Sequence, residues 1–192
     1  TLVFIPMLTS TTAPIKSYLS YTLPVVGAGW IIALTGLIDD VKELSAKKKM
    51  IGILLAASLV WFLTDFRLND FKIPFGGPLL HFEPWLSYLL TVIWIVAITN
   101  AVNLIDGLDG LVSGVSIISL VTMGIVSYFF LPVPNLFLTM TIFVLVASIA
   151  GFFPFNYHPA ILYLGDTGAL FIGFMISVLS LQGLKNATAV AV

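Results

Sequence analysis

Long apolar runs separated by short polar stretches set the pattern of this chain. A membrane-spanning helix needs about 20 mostly apolar residues, and the runs predict spans at Thr22–Ile38, Met50–Thr64, Trp85–Thr99 and Leu111–Phe130. A fifth follows the two-proline turn Leu131–Asn135 and ends at Phe153, and a sixth covers Thr167–Leu184. Thr1–Leu8 is too short to span and reads as the end of a further helix, joined through the polar connection Thr9–Ser20. Between the second and third spans, Phe71, Ile73 and Phe75, then Leu80 and Phe82, alternate around Gly76-Gly77-Pro78, which predicts a small hairpin outside the hydrocarbon. The expected fold is all-α: a polytopic membrane bundle of six complete helices, one partial N-terminal helix and a small extracytoplasmic hairpin.

Counting crossings orders the polar stretches. Loops 39–49, 100–110 and 154–166 are separated from one another by two spans each, so all three reach one membrane face. Asp39, Asp40, Glu43, Asp106, Asp109 and Asp166 fall on that face; Asp65, Asp70 and Glu83 fall on the other. Lysine placement orients the bundle weakly. Lys42, Lys47, Lys48 and Lys49 face Lys16, Arg67, Lys72 and Lys185 across the membrane, and the dense cluster at 47–49 leans toward a cytoplasmic shared face.

Composition agrees with a bilayer setting: 59% of the 192 residues are hydrophobic and 9% charged, against roughly 25% charged in soluble domains. A net charge of −1 without a basic stripe speaks against a nucleic-acid partner. With no cysteine, disulfides, thiolate metal sites and cysteine nucleophiles are excluded. Residue 1 is Thr, and no leader with a basic start is visible, so the expectation is one transmembrane catalytic domain, 1–192, lacking N- and C-terminal parts of a longer protein.

The chemistry concentrates in the shared-face loops. Carboxylates near hydrocarbon are expensive and mark functional sites. Asn100-Ala-Val-Asn-Leu-Ile-Asp-Gly-Leu-Asp-Gly110 holds Asn100, Asn103, Asp106 and Asp109 at three-residue spacing. Capping of the helix at Leu111 would explain Asp109, but not the other three. Asp39 and Asp40 end a span, where the helix dipole disfavours acids; a solvated helix end paired to lysines is the plainer alternative. Were the helix to continue, Asp39 and Glu43 would share a face. Gly165-Asp-Thr-Gly168 places Asp166 beside N–H groups at a helix start, where it could cap the helix or hold Mg²⁺ together with substrate phosphates. His158 and His81 read as structural or interfacial, Lys47–Lys49 as a membrane anchor, and Trp85, Trp94 and Phe152-Phe153 as lipid-facing or belt residues. Convergent carboxylates at a bilayer surface suggest phosphoryl transfer involving a lipid.

At Gly36-Leu-Ile-Asp-Asp40, Asn100–Leu111, Asn156-Tyr-His-Pro-Ala160 and Gly165-Asp-Thr-Gly168 the chain closely resembles the polyprenyl-phosphate N-acetylhexosamine-1-phosphate transferases. The run Tyr163–Gly173 is more similar to the N-acetylglucosamine branch than to the related phospho-N-acetylmuramoyl-pentapeptide transferases. The resemblance implies transfer of N-acetylglucosamine 1-phosphate from its UDP donor to undecaprenyl phosphate, with release of UMP. It implies catalytic roles for Asp39 and Asp40, and a Mg²⁺ ligand (Mn²⁺ as substitute) in Asp166. Asn100, Asn103, Asp106, Asp109, Asn156 and Gly165 would contact substrate. The expected setting is the bacterial plasma membrane, with the site facing the cytoplasm and a homodimer admissible.

Three departures stand out. Glu43 occupies a position that often carries a third aspartate in the family; the upstream Gly-Gly and Lys segment and the downstream His-rich loop lie outside residues 1–192. The segment alone is therefore expected to be inactive. An Asp-rich prenyltransferase fits the Asn/Gly-rich middle motif poorly, and an ion-coupled transporter would place its polar groups nearer the bilayer midplane.

Overall fold

The computed structural model describes residues 12–72, 77–130 and 135–190. Six helices run through it: α1 Thr12–Lys42, α2 Ala46–Leu63, α3 Pro84–Leu104, α4 Leu111–Ile125, α5 Leu136–Asn156 and α6 Gly165–Val190. One π-helical turn, Val126–Phe130, extends α4. The hairpin forms from β1 Asp70–Lys72 and β2 Leu79–His81, antiparallel, with Phe71 opposite Leu80. Ile73 and Phe75 of the expected alternation, and the expected helix end Thr1–Leu8, lie outside the described residues.

Among the described residues, five helices are long and apolar enough to cross a membrane: Thr22–Lys42 of α1, α3, the Leu111–Phe130 unit, α5 and Gly165–Lys185 of α6. The remaining helix, α2, opens on three lysines, yet its 18 residues extend about 27 Å, close to the thickness of a hydrocarbon core. The chain is a multi-pass all-α membrane protein.

Apolar length located the helices well and their ends less well. Residues 12–20, expected as a connection, continue α1 toward its N-terminus, and the helix carries Pro24 within it. Asp39, Asp40, Asn100, Asn103 and Asn156 all lie inside helices rather than in loops, because backbone hydrogen bonding outlasts the apolar run by a turn. Glu43 corrects the expectation of a shared face with Asp39. α1 stops at Lys42, and Glu43 turns the chain with φ 47°, exposed.

The core lies on α6, the most buried span. One cluster joins Ala28 and Ile32 of α1, Ile53, Ala57 and Val60 of α2, Ile95 of α3, and Leu170, Phe174 and Val178 of α6. A second joins Leu120 of α4, Leu138 and Ile142 of α5, and Ile172 and Leu179 of α6. In lipid, helices associate through close packing rather than expulsion of water, so small residues mark the crossings. A Cβ on Gly173 would come 2.9 Å from Thr99 Cα, and one on Gly36 only 2.5 Å from Thr167 Cα. Trp30, Leu34, Ile93, Ile118 and Val144 are exposed around the outside, as lipid contact requires.

Candidate active site

The helices bring the predicted polar groups to one end of the bundle. Asp39 (6% exposed) ion-pairs with Lys49 near the start of α2. Its Oδ1 also accepts the Leu44 N–H at 2.6 Å, closing the α1–α2 turn. Lys49 Nζ reaches Asp166 Oδ1 at 2.9 Å, and the same oxygen accepts from Asn103 Nδ2 at the end of α3. Four helices therefore meet through Asp39, Lys49, Asn103 and Asp166. Crossing number alone required their termini to share a face; the side chains now connect them.

Asp40 turns the other way. Its carboxylate accepts the backbone N–H groups of Asp166 at 2.7 Å and Thr167 at 3.1 Å, together with the Thr167 hydroxyl. The two adjacent acids that sit awkwardly at a helix C-terminus thus each find positive charge, one in an ammonium and the other at the N-terminal end of α6. Asp166 does not cap its own helix; Asp40 caps it from α1.

The middle and third loops form a second group. Asp109 Oδ2 accepts from the Ala160 N–H at 3.1 Å and faces His158 Nδ1 at 3.0 Å. The Ala160 N–H first, and His158 second, hold its carboxyl below the usual carboxylate range. It does not cap α4: that position is Gly110, with φ 72° and no side-chain cap. Buried Asn156 accepts from Ser113 Oγ at 2.7 Å and donates to Leu162 O at 3.0 Å. A cavity of about 180 Å³ opens between the groups, lined by Asp106, Gly107, Asp109, Asn156, Tyr163 and Gly165 among others.

Asp106 forms the link between the two groups. Burial, and then the negative fields of Asp166 and Asp40, push its carboxyl up to about 6. Asn100 is not drawn into the cluster by its amide, which donates to Val96 O of its own helix at 2.8 Å. Among the described residues no three His, Asp or Glu side chains converge as a ready-made metal cage. A Mg²⁺ ion held by one or two carboxylates and substrate phosphates needs no such cage, and the donors here suit it. They are hard oxygens in excess negative charge: the fields of Asp40 and Asp166 both fall on Asp106, and the Lys49 ammonium is shared between Asp39 and Asp166.

Two residues of this site were passed over by the sequence reading. Lys49 stood third in a run of equivalent lysines, and only the rotation of α2 turns it, rather than Lys47 or Lys48, toward Asp39. Thr167 was visible inside Gly165-Asp-Thr-Gly168, but nothing local pointed to its partner on α1.

This arrangement defines a membrane-spanning helical bundle with an acidic, polar end. Residues 22–184 match the family described as Glycosyl transferase family 4, and the chain belongs to that family. It is 41% identical over 163 residues to the probable undecaprenyl-phosphate N-acetylglucosaminyl 1-phosphate transferase of Bacillus subtilis, a match covering 84% of the chain and 44% of that relative. It is 38% identical over 162 residues to the phospho-N-acetylmuramoyl-pentapeptide-transferase of Staphylococcus saprophyticus, covering 78% of the chain and 49% of that relative. The protein of that name from Listeria innocua is 31% identical over 192 residues, covering 88% and 57%. The chain spans about half the length of these curated relatives.

Proposed function

We propose that this chain forms the membrane-embedded catalytic core of a transferase that moves N-acetylglucosamine 1-phosphate from a UDP donor to undecaprenyl phosphate. The observation that carries the reading is the meeting of Asp39, Lys49, Asn103 and Asp166 at one end of the bundle, beside a cavity lined by Asp106, Asp109 and Asn156. The 41% identity to the Bacillus subtilis relative supports N-acetylglucosamine as the sugar. Relatives named phospho-N-acetylmuramoyl-pentapeptide-transferase, at 30–38% identity, keep a muramoyl-peptide donor as the second reading.

In the proposed reaction a lipid phosphate oxygen attacks the donor phosphorus that bears the sugar. The bond from that phosphorus to the bridging diphosphate oxygen breaks, and its electron pair leaves with UMP. A phosphate monoester has a second pKa near 6 and is already mostly dianionic at neutral pH, so no strong base is required. Catalysis of this kind rests on positioning and charge neutralisation. Lys49 is placed to meet an incoming phosphate, with Asp39 orienting its ammonium. Asn103 holds Asp166, and the cavity lined by Asp106, Asp109, Asn156 and Gly165 receives the nucleotide. Asp166 would hold Mg²⁺, or Mn²⁺ in its place, together with the donor diphosphate; when bound, the ion supplies neutralisation of the phosphate charge. The site would face the cytoplasm, the side carrying Lys42 and Lys47–Lys49.

The test is UMP release by membranes containing the full-length protein, given undecaprenyl phosphate and either UDP-N-acetylglucosamine or the UDP-muramoyl pentapeptide. Release with the first donor, lost in Asp166→Asn, supports the reading. Release only with the second replaces it by the alternative, and release with neither overturns both.

A further inference from the structure

The start of α6 is built from three parts that no single loop contains. Gly165 enters the helix with φ 62° and offers no side chain to cap it. A Cβ there would stand 3.0 Å from both Asp40 oxygens, so the residue that leaves the helix uncapped also admits the cap from α1. Asp40 takes the N–H groups of Asp166 and Thr167 and the Thr167 hydroxyl, across more than 120 residues of sequence. One turn earlier on the same face of α1, Gly36 allows the approach: its Cβ would meet Thr167 N at 2.7 Å and Thr167 Cα at 2.5 Å.

Asp166 sits between this contact and the rest of the site. Its backbone is gripped by Asp40 while its side chain faces Lys49 and Asn103. Within Asp166 only Cα and Cβ separate the gripped N–H from the carboxylate, so a shift of the α6 start would move that carboxylate relative to Lys49. Both Asp40 oxygens are occupied by α6.

We infer that Thr167 and Asp40 form a latch that positions Asp166, and that Thr167 is a positioning residue whose hydroxyl acts on the reaction through Asp40 and α6. This inference rests on the transfer reading above. It revises the role expected for Asp40, from a group acting on the reacting atoms to one acting through α6.

The experiment uses the full-length protein in detergent, with Thr167→Val, Thr167→Ser, Asp40→Asn and the Asp40→Asn, Thr167→Val double variant. Charge-assisted hydrogen bonds are the strong ones, so Thr167→Val should lower kcat for UMP release by about tenfold while donor KM stays within about twofold. Thr167→Ser, which keeps the hydroxyl, should restore most of the rate. The double variant should be no slower than Asp40→Asn alone, since both changes open one contact. Independently of activity, hydrogen–deuterium exchange over residues 165–170 should rise in Thr167→Val and Asp40→Asn to a similar level, and no further in the double variant. Wild-type kcat in Thr167→Val, multiplicative losses in the double variant, or unchanged exchange at the α6 start would overturn the latch. Absence of UMP release from the wild type would instead remove the transfer reading, and the exchange arm would still decide whether the latch exists.

Discussion

Lys49 Nζ lies 2.9 Å from Asp166 Oδ1 and ties the start of α2 to the start of α6, with Asp39 on its other side. The ammonium is the one basic group among the described residues paired to carboxylates of two other helices at this end of the bundle. Removing one partner of a largely buried pair leaves charge uncompensated. Lys49→Met should therefore lower stability by about 2 kcal/mol, after allowance for the partial exposure of Asp166. A divalent cation can replace the missing charge. The thermal midpoint of Lys49→Met should accordingly rise more on adding Mg²⁺ than that of the wild type. An equal response in both would show that Lys49 does not occupy the field a metal would enter.

Asp106 makes a second prediction, with a sign opposite to ordinary acid denaturation. Its folded pKa of about 6 lies above the ordinary aspartate value of 3.8, so between these values the folded chain holds more protons than the unfolded chain. Its favourable contribution is complete below the lower value and is lost as pH rises through the upper one. Because the side chain is partly exposed, about 1–2 kcal/mol is at stake after solvent screening. Asp106→Asn should raise the thermal midpoint at pH 7.5 and leave it nearly unchanged at pH 4. A variant that destabilises equally at both values would place Asp106 in a favourable rather than a crowded field.

The Asp106 field also shows how far sequence could carry the argument. That loops 39–49, 100–110 and 154–166 share a face follows from run lengths alone, since each apolar run must cross and each crossing reverses the chain. Helix rotation does not follow, because α1 and α6 are apolar nearly all round, so no moment singles out an inward face. That Asp39 meets Lys49 while its neighbour Asp40 meets Thr167 depends on the rotation of α1 about its axis. Glu43 fell to the same limit: its left-handed φ follows from the tight turn into α2 rather than from any glycine or asparagine signal. The likeness in motif supplied candidate roles, but not the finding that Asp109 and Asn156 engage the 157–162 loop.

That loop gives a third prediction. Asp109 holds it through Ala160 N–H and His158, and Tyr163 and Gly165 at its far end line the cavity. Asp109→Ala removes both contacts without touching α6. Proteolytic cleavage within 157–164 should speed up, and donor KM should rise by about tenfold with a smaller change in kcat, the signature of lost ground-state binding. His158→Ala keeps the Ala160 contact and should show the same changes more weakly. Should His158→Ala exceed Asp109→Ala in either measurement, the backbone contact is not what holds the loop.

Close helix approach supplies the last prediction, and it carries its own control. At Gly36 an added methyl group would overlap Thr167 Cα at 2.5 Å, with backbone rather than a flexible side chain in the way. At Gly27, nine residues earlier on α1, nothing lies within 4 Å. Overpacking that forces backbone shifts destabilises by about 1–3 kcal/mol, whereas alanine is the better helix former in open space by roughly 0.5–1 kcal/mol. Gly36→Ala should therefore lower the thermal midpoint in detergent, and Gly27→Ala should hold or raise it. Because α1 meets α6 at Gly36, the first substitution should also loosen the Asp40 contact and raise hydrogen exchange at 165–170, while the second should not. Equal effects of the two substitutions on stability and exchange would mean that the α1–α6 seam is not closed at Gly36.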